Sequence, residues 1–423
     1  MEGYNIIIRL FTIIVYAIFP AKWHDGIADR ITEIKAAATS NIELRVFWHI
    51  LFLPIVLPVS LLIALVKSIF IMISPSRYRS YKYIFGQIFN DVVREKMGVK
   101  HAVKRAALAN EMLIKGAEKR ESFGDKNPDK TFFVIRPYYF MKTNELATTI
   151  SNLLFHYYRN LQHLSHAIDN GWIPVVDWQN YGPFPHGEDF PVNGTTNCWE
   201  YFWNQPSEYT LDEVYKSKNV ILSSQNTEFY GSIPSVALTP PFSEYVDDLI
   251  ACCPKYDTLI TLNEPTSKYV QKHQDALFPP DSRILGVSIR GAAYGASNIP
   301  GHPVQPKMQN LIAEVKKYVG KWNMDFIFFT CEMASAVEAM RNSFGDKLIV
   351  LPRQRYKKLP TSNDNPLYEA GSRYQTNLDY LTEMVLLSRC TSLIAGMSGG
   401  VRCAIIWNAG QYEHIKVFEN GMW

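Results

Sequence analysis

Charge is scarce in this chain of 423 residues: 20% are charged, and 43 Lys and Arg against 40 Asp and Glu leave a formal net charge of +3. So small a surplus argues against a nucleic-acid-binding coat. Cysteine is scarcer still, with six residues, no C-x-x-C spacing and no clustered histidines. That excludes a disulfide-stapled miniprotein and a zinc ribbon, and leaves free, mostly buried thiols in a reducing compartment as the expectation. There is no G-x-x-x-x-G-K-[ST], and no G-x-G-x-x-G opens a helix after a strand, which sets aside phosphotransfer and NAD enzymes. Internal repeats and low-complexity tracts are absent too. What remains is a chain 47% hydrophobic, enough for two or three globular domains.

The N-terminal part is unlike the rest. Residues 46–66 contain FWHILFLPIVLPVSLLIALV without Asp, Glu, Lys or Arg, about the ~20 residues that span a bilayer. Pro54 and Pro58 would break a straight helix, so a re-entrant or interfacial hairpin competes with a span. Residues 5–19 are apolar but shorter and carry Arg9, which reads as an interfacial helix rather than a signal peptide. Lys67, Arg77, Arg79 and Lys82 follow the long segment, a bias that fits an anionic cytoplasmic leaflet. The alternative is that both stretches pack together as a fully apolar helical core or dimer interface.

GDKNPDK (124–130) reads as a linker, after which strand and helix signals alternate. TFFVI (131–135), IPVV (173–176) and NVIL (219–222) are the strands expected first, with a helix over about 144–169. RILGVSI (283–289), DFIFFT (325–330), KLIVL (347–351) and TSLIA (391–395) follow. Continuous apolar runs separated by helices define an α/β protein with parallel sheets, doubly wound in its second half. The expected domains are 1–124, helical, basic and membrane-associating; 125–265, a first Rossmann-like domain; and 266–423, a second, with a cleft between the last two.

In a parallel sheet, ligands meet the residues just beyond the strands. After TSLIA come Ser398, Gly399 and Gly400, then a helix-like run with Arg402, a candidate anion site of backbone N–H groups, a helix start and one guanidinium. Alone, such glycines are as readily a tight turn. Arg290 ends GVSIRG, whose other residues are uncharged, and with Ser288 and Gly291 it points to the same edge; a diphosphate clamp and an interdomain ion pair are the two readings. Glu332, after DFIFFT, either accepts from a ligand hydroxyl or caps the next helix. Arg353 and Arg355, after KLIVL, are rim cations or a solvated loop.

With these residues in view, GVSIRGAAYGASNIPGHPVQP (286–306), Glu332 and SLIAGMSGG (392–400) resemble bacterial surface-polysaccharide proteins of the fucosyltransferase-like group. NGWIPVVDWQNY (170–181), NCWEYFWNQP (197–206) and YKSKNVILS (215–223) are similar to that group's first domain, so that the resemblance covers about 131–423. It implies a GT-B fold of two Rossmann-like domains and a metal-independent, inverting transfer. The donor is a nucleotide sugar, GDP-fucose in the group's name, bound by the second domain; the acceptor is a glycan or lipid-linked molecule bound by the first. By position Arg290 matches the donor-diphosphate arginine of an H-x-R-x-x-D type motif, and 398–400 match its phosphate-facing loop. The motif's His is Ser288 here and its Asp is Ala293, while Met333 stands where an acid often follows Glu332.

An inverting transfer needs a base for the acceptor hydroxyl while Arg290 and the helix start stabilise the leaving diphosphate. Asp177 and Glu200 are the candidate bases of the first domain, and His186 a third; each is as readily a cap, an ion-pair partner or a surface residue. Trp178, Tyr181, Trp199, Tyr201, Phe202 and Trp203 either stack on sugars or build the core. The expected protein is therefore a membrane-associated glycosyltransferase at the cytoplasmic face, without cofactor, metal or nucleic-acid partner. Its rival is a degenerate relative that binds glycan or nucleotide as a scaffold, supported by Ala293 and Met333.

Overall fold

A computed structural model of the chain describes residues 116–137, 139–142, 145–148, 153–181, 187–225, 238–256, 260–291, 301–357 and 372–423. The apolar segments 5–19 and 46–66 lie outside these, as do His186 and Ala293. Among the described residues no helix is long and apolar enough to cross a membrane.

The strands are β1 (Lys119–Glu121), β2 (Lys126–Ile135), β3 (Tyr139–Lys142), β4 (Glu145–Thr148), β5 (Ile173–Val176) and β6 (Ser217–Leu222) in the first half, and β7 (Ile284–Ser288), β8 (Phe326–Thr330), β9 (Leu348–Ile349), β10 (Ser392–Ala395) and β11 (His414–Val417) in the second. The helices are α1 (Leu153–Asp169), α2 (Leu211–Val214), α3 (Phe242–Tyr256), α4 (Glu264–Leu277), α5 (Met308–Lys321), α6 (Ala334–Phe344), α7 (Arg373–Ser388) and α8 (Gly399–Asn408).

Two sheets result. The first runs β1-β6-β2-β5, with β6, β2 and β5 parallel and β1 antiparallel at the edge. The second, β11-β10-β7-β8-β9, is parallel throughout. Its strand order in space, counted along the chain, is third-second-first-fourth-fifth, so the winding reverses between β7 and β10. That is the doubly wound arrangement expected, and the reversal is where such sheets bind ligands.

Buried parallel strands must be apolar on both faces, and β7 and β10 are buried at every position. The predicted linker is a correction: residues from Lys126 onward are already strand. Asn127 takes a positive φ of 47° there, and its amide donates to Glu213 and Ser217. The helix expected from about 144 begins instead at Leu153, since 145–148 is strand.

Residues 117–140 and 147–423 form one compact body, and a single apolar core runs from α1 to α8. Tyr157 of α1 meets Trp407 of α8 with ring centroids 5.1 Å apart, and Trp407 Nε1 donates to the Tyr157 hydroxyl at 2.7 Å. The two halves are also strapped at the surface. Glu188 accepts from Ser372 Oγ and Tyr374 N, each at 2.6 Å, capping α7 from the other half. Glu419 does the same for α3, accepting from Phe242 N and Ser243 N.

Candidate functional site

The crevice at the carboxyl edge of the second sheet is assembled from four strand ends. β7 stops at Ser288, whose buried Oγ accepts from Thr330 Oγ1 at 2.8 Å, tying the ends of β7 and β8. On the other flank Gly396 N donates to Ser288 O at 3.0 Å, tying β7 to β10. Arg290 emerges from this fixed base. Its Nε lies 3.1 Å from Glu332 Oε1, and the two side chains remain 24% and 14% exposed. The pair is therefore desolvated on one side and open on the other, the setting in which a guanidinium holds its charge while still reaching an incoming anion.

Of the two readings of Glu332, helix capping is excluded. The N-cap of α6 is Met333, without a side-chain cap bond, and Glu332 reaches back to Arg290. Its carbonyl accepts from Tyr356 N at 2.8 Å, while Ala334 N donates to Tyr356 O. The Tyr356 hydroxyl is thereby brought near: burial first and the Glu332 charge second push its pKa up, with Arg290 opposing. Cys331 beneath is raised to about 12, by burial first and then Glu332. Gly291 is needed for close approach, since a Cβ there would lie 2.5 Å from Met333 Cγ.

Other expected site residues are turned inward. The Arg353 guanidinium lies 2.8 Å and that of Arg355 2.9 Å from the two oxygens of Glu383, which is 1% exposed. Burial lowers the Arg355 pKa most, and the Glu383 charge opposes that. Arg355 also donates to the carbonyls of Cys331, Leu351 and Arg353. These cations brace the loop after β9 instead of lining its rim. Arg402 stands in the first turn of α8 but is 1% exposed, with its guanidinium carbon 3.6 Å from the centre of the Tyr158 ring. Its Nη1 meets the Tyr245 hydroxyl at 3.5 Å, so the side chain fastens the two halves together.

At the helix start, Ser398 Oγ accepts from Val401 N at 3.2 Å, an ordinary N-cap. Gly400 is a packing glycine, because a Cβ would lie 2.5 Å from the Tyr380 hydroxyl and 2.8 Å from Met384 Sδ. Gly399 opens α8 and is part-buried.

The first sheet's edge is closed in the same sense. Asp177 is fully buried. Its Oδ1 accepts from Gln179 N and Asn180 N at 2.9 Å, and its Oδ2 from Asn180 Nδ2 at 2.9 Å and from the Tyr215 hydroxyl at 2.6 Å. Glu200 accepts from Thr195 Oγ1, Asn197 Nδ2 and Gln205 Nε2. Four and three donors respectively leave little basicity for an acceptor hydroxyl. Trp178, Trp199, Tyr201, Phe202 and Trp203 are core, and Tyr181 alone of the six is part-exposed. Arg136, not foreseen, occupies the end of β2, where its Nε donates to Ser223 O at 2.7 Å. Its only signal was a lone arginine closing an apolar strand.

The free thiols Cys198, Cys331, Cys390 and Cys403 are buried, and no group of His, Cys, Asp and Glu among the described residues is arranged to hold a metal ion.

No protein-family model matches the sequence, and no curated protein does. Among solved structures, the chain is similar to NodZ alpha-1,6-fucosyltransferase soaked with GDP-fucose, at 15% identity over 66% of this chain and 93% of that one, with a TM-score of 0.37. It is similar to fucosyltransferase NodZ from Bradyrhizobium at 14% identity over 65% and 92%, TM-score 0.36. It is also similar to POFUT1 in complex with GDP, at 11% over 69% and 99%, TM-score 0.37. We take the function from the residues instead.

Proposed function

We propose that this chain is a glycosyltransferase of the fucosyltransferase-like, GT-B type, which takes a nucleoside-diphosphate sugar at the carboxyl edge of its second sheet. The observation that carries the reading is the half-open Arg290–Glu332 pair beside the reversal of strand order between β7 and β10. In the transfer, negative charge grows on the departing diphosphate, and Arg290, already oriented by Glu332, is the group placed to meet it. Ser288 and the 398–400 helix start complete the wall. GDP-fucose is the donor that the motif resemblance implies, with inversion and no metal. Residues 46–66 and the lysines and arginines after them extend the proposal to a membrane-held enzyme at the cytoplasmic face, acting on a glycan or lipid-linked acceptor in surface-polysaccharide synthesis.

The scaffold reading draws on a different observation, the full hydrogen bonding of Asp177 and Glu200. Calorimetry with GDP, UDP and GDP-fucose separates the two. A nucleotide that binds the wild type and is weakened at least about tenfold in Arg290→Ala, roughly 1.4 kcal/mol, supports the donor site. Equal binding by both proteins, or none by the wild type, overturns it. Binding gained only in Ala293→Asp favours the scaffold.

A further inference from the structure

Between the ends of β7 and β10, at the reversal itself, the backbone does not close on its own. The side chain of Gln305 closes it. Its Oε1 accepts from Arg290 N at 3.0 Å, and its Nε2 donates to Met397 O at 2.9 Å and, more weakly, to Pro303 O at 3.4 Å. Gly396 makes room for it, since a Cβ there would strike Gln305 Oε1 and lie 3.0 Å from Pro306 Cδ. The loop that delivers Gln305 is itself held: Gly301 N donates to Trp423 O, Trp423 N to His302 O, and Val304 N to Gly421 O, at 3.0 to 3.1 Å. Prolines 303 and 306 flank it and fix φ on both sides.

We infer that Gln305 is a positioning residue, whose amide sets the spacing between Arg290 and the Met397–Ser398 turn and so the geometry in which the two meet a diphosphate. The inference rests on the donor-site reading for its purpose, but the bridge itself can be tested apart. An amide suits the place because it presents one acceptor and one donor in a single rigid plane, and the two loops offer the complementary N–H and C=O.

Gln305→Met keeps the length and removes both bonds. Gln305→Glu keeps the acceptor for Arg290 N but sets a carboxylate oxygen against Met397 O, until protonation restores a donor. Amide hydrogen exchange is read first. In Gln305→Met, exchange at Arg290 should quicken at least about tenfold while Leu285 to Val287 in β7 hold their protection; an unchanged Arg290 rate overturns the inference, whatever binds. GDP affinity by calorimetry is read second. It should fall about fivefold or more in Gln305→Met, and in Gln305→Glu it should recover relative to the wild type as pH is lowered from roughly 8 to 5, across the carboxyl range. A merely structural role would lower the melting temperature without that pH trend, and equal affinity in all three proteins overturns the positioning role. If GDP binds none of them, wild type included, the donor-site reading fails, and the exchange rates alone decide whether Gln305 joins the two loops.

Discussion

The carboxyl edges of the two sheets draw on the same residue types and use their charges differently. At the first, Asp177 accepts four hydrogen bonds from its own turn and Tyr215, and Arg136 is spent on the Ser223 carbonyl. At the second, Arg353 and Arg355 are consumed by Glu383, but Arg290 and Glu332 keep part of their surface. A strand-end charge is thus no guide to a ligand by itself. What separates a brace from a candidate contact is whether neighbouring backbone and side chains have already filled its bonding capacity.

The sharpest way to break the comparison is to remove Glu383. Glu383→Ala leaves two buried guanidiniums without their counter-charge and should cost about 3–5 kcal/mol in denaturant unfolding; a loss under ~1 kcal/mol would mean that water reaches the pair. Asp177→Asn should cost about 1.5–3 kcal/mol, because charge-assisted bonds from two backbone amides and Tyr215 are weakened. Were Asp177 the base instead, that variant would lose turnover at unchanged stability. Gly400→Ala should destabilise by about 1–3 kcal/mol through overpacking against Tyr380 and Met384, with nucleotide affinity little changed. Arg290→Ala should do the reverse, costing at most ~1 kcal/mol in folding while nucleotide binding weakens about tenfold.

Alkaline pH supplies a smaller, shared effect. The Cys331 and Cys403 thiols are each raised by burial to about 12 in the folded chain, against about 8.5 unfolded. The unfolded state therefore releases these protons first. Stability from them is complete below about pH 8.5 and declines as pH rises toward 12, which unfolding midpoints taken at pH 8 and 10 would check.

Much of the second sheet was legible because its strands are buried on both faces: RILGVSI, DFIFFT and TSLIA contain β7, β8 and β10 almost residue for residue. β11, HIKV, escaped notice as a partly exposed edge strand without a continuous apolar run. The start of β2 escaped because KNPDK is polar and pairs only loosely, across a register shift. At the site, Arg290, Glu332 and Ser288 could be placed from the strand ends alone. Arg353 and Arg402 could not, because their partners Glu383 and Tyr158 lie 30 and 244 residues away in sequence, and nothing local announces which way a long side chain will turn. Gln305 lay inside the quoted motif and drew no attention, as an uncharged residue between prolines.

The straps at Glu188 and Glu419, with Arg402 between Tyr158 and Tyr245, bear on the heat of binding. Enzymes that close two lobes around a ligand bury apolar surface as they do so, and record it as a large negative change in heat capacity. Here the lobes share one core before any ligand arrives. A nucleotide entering the crevice should therefore leave the heat capacity nearly unaltered, and its enthalpy of binding should vary little with temperature.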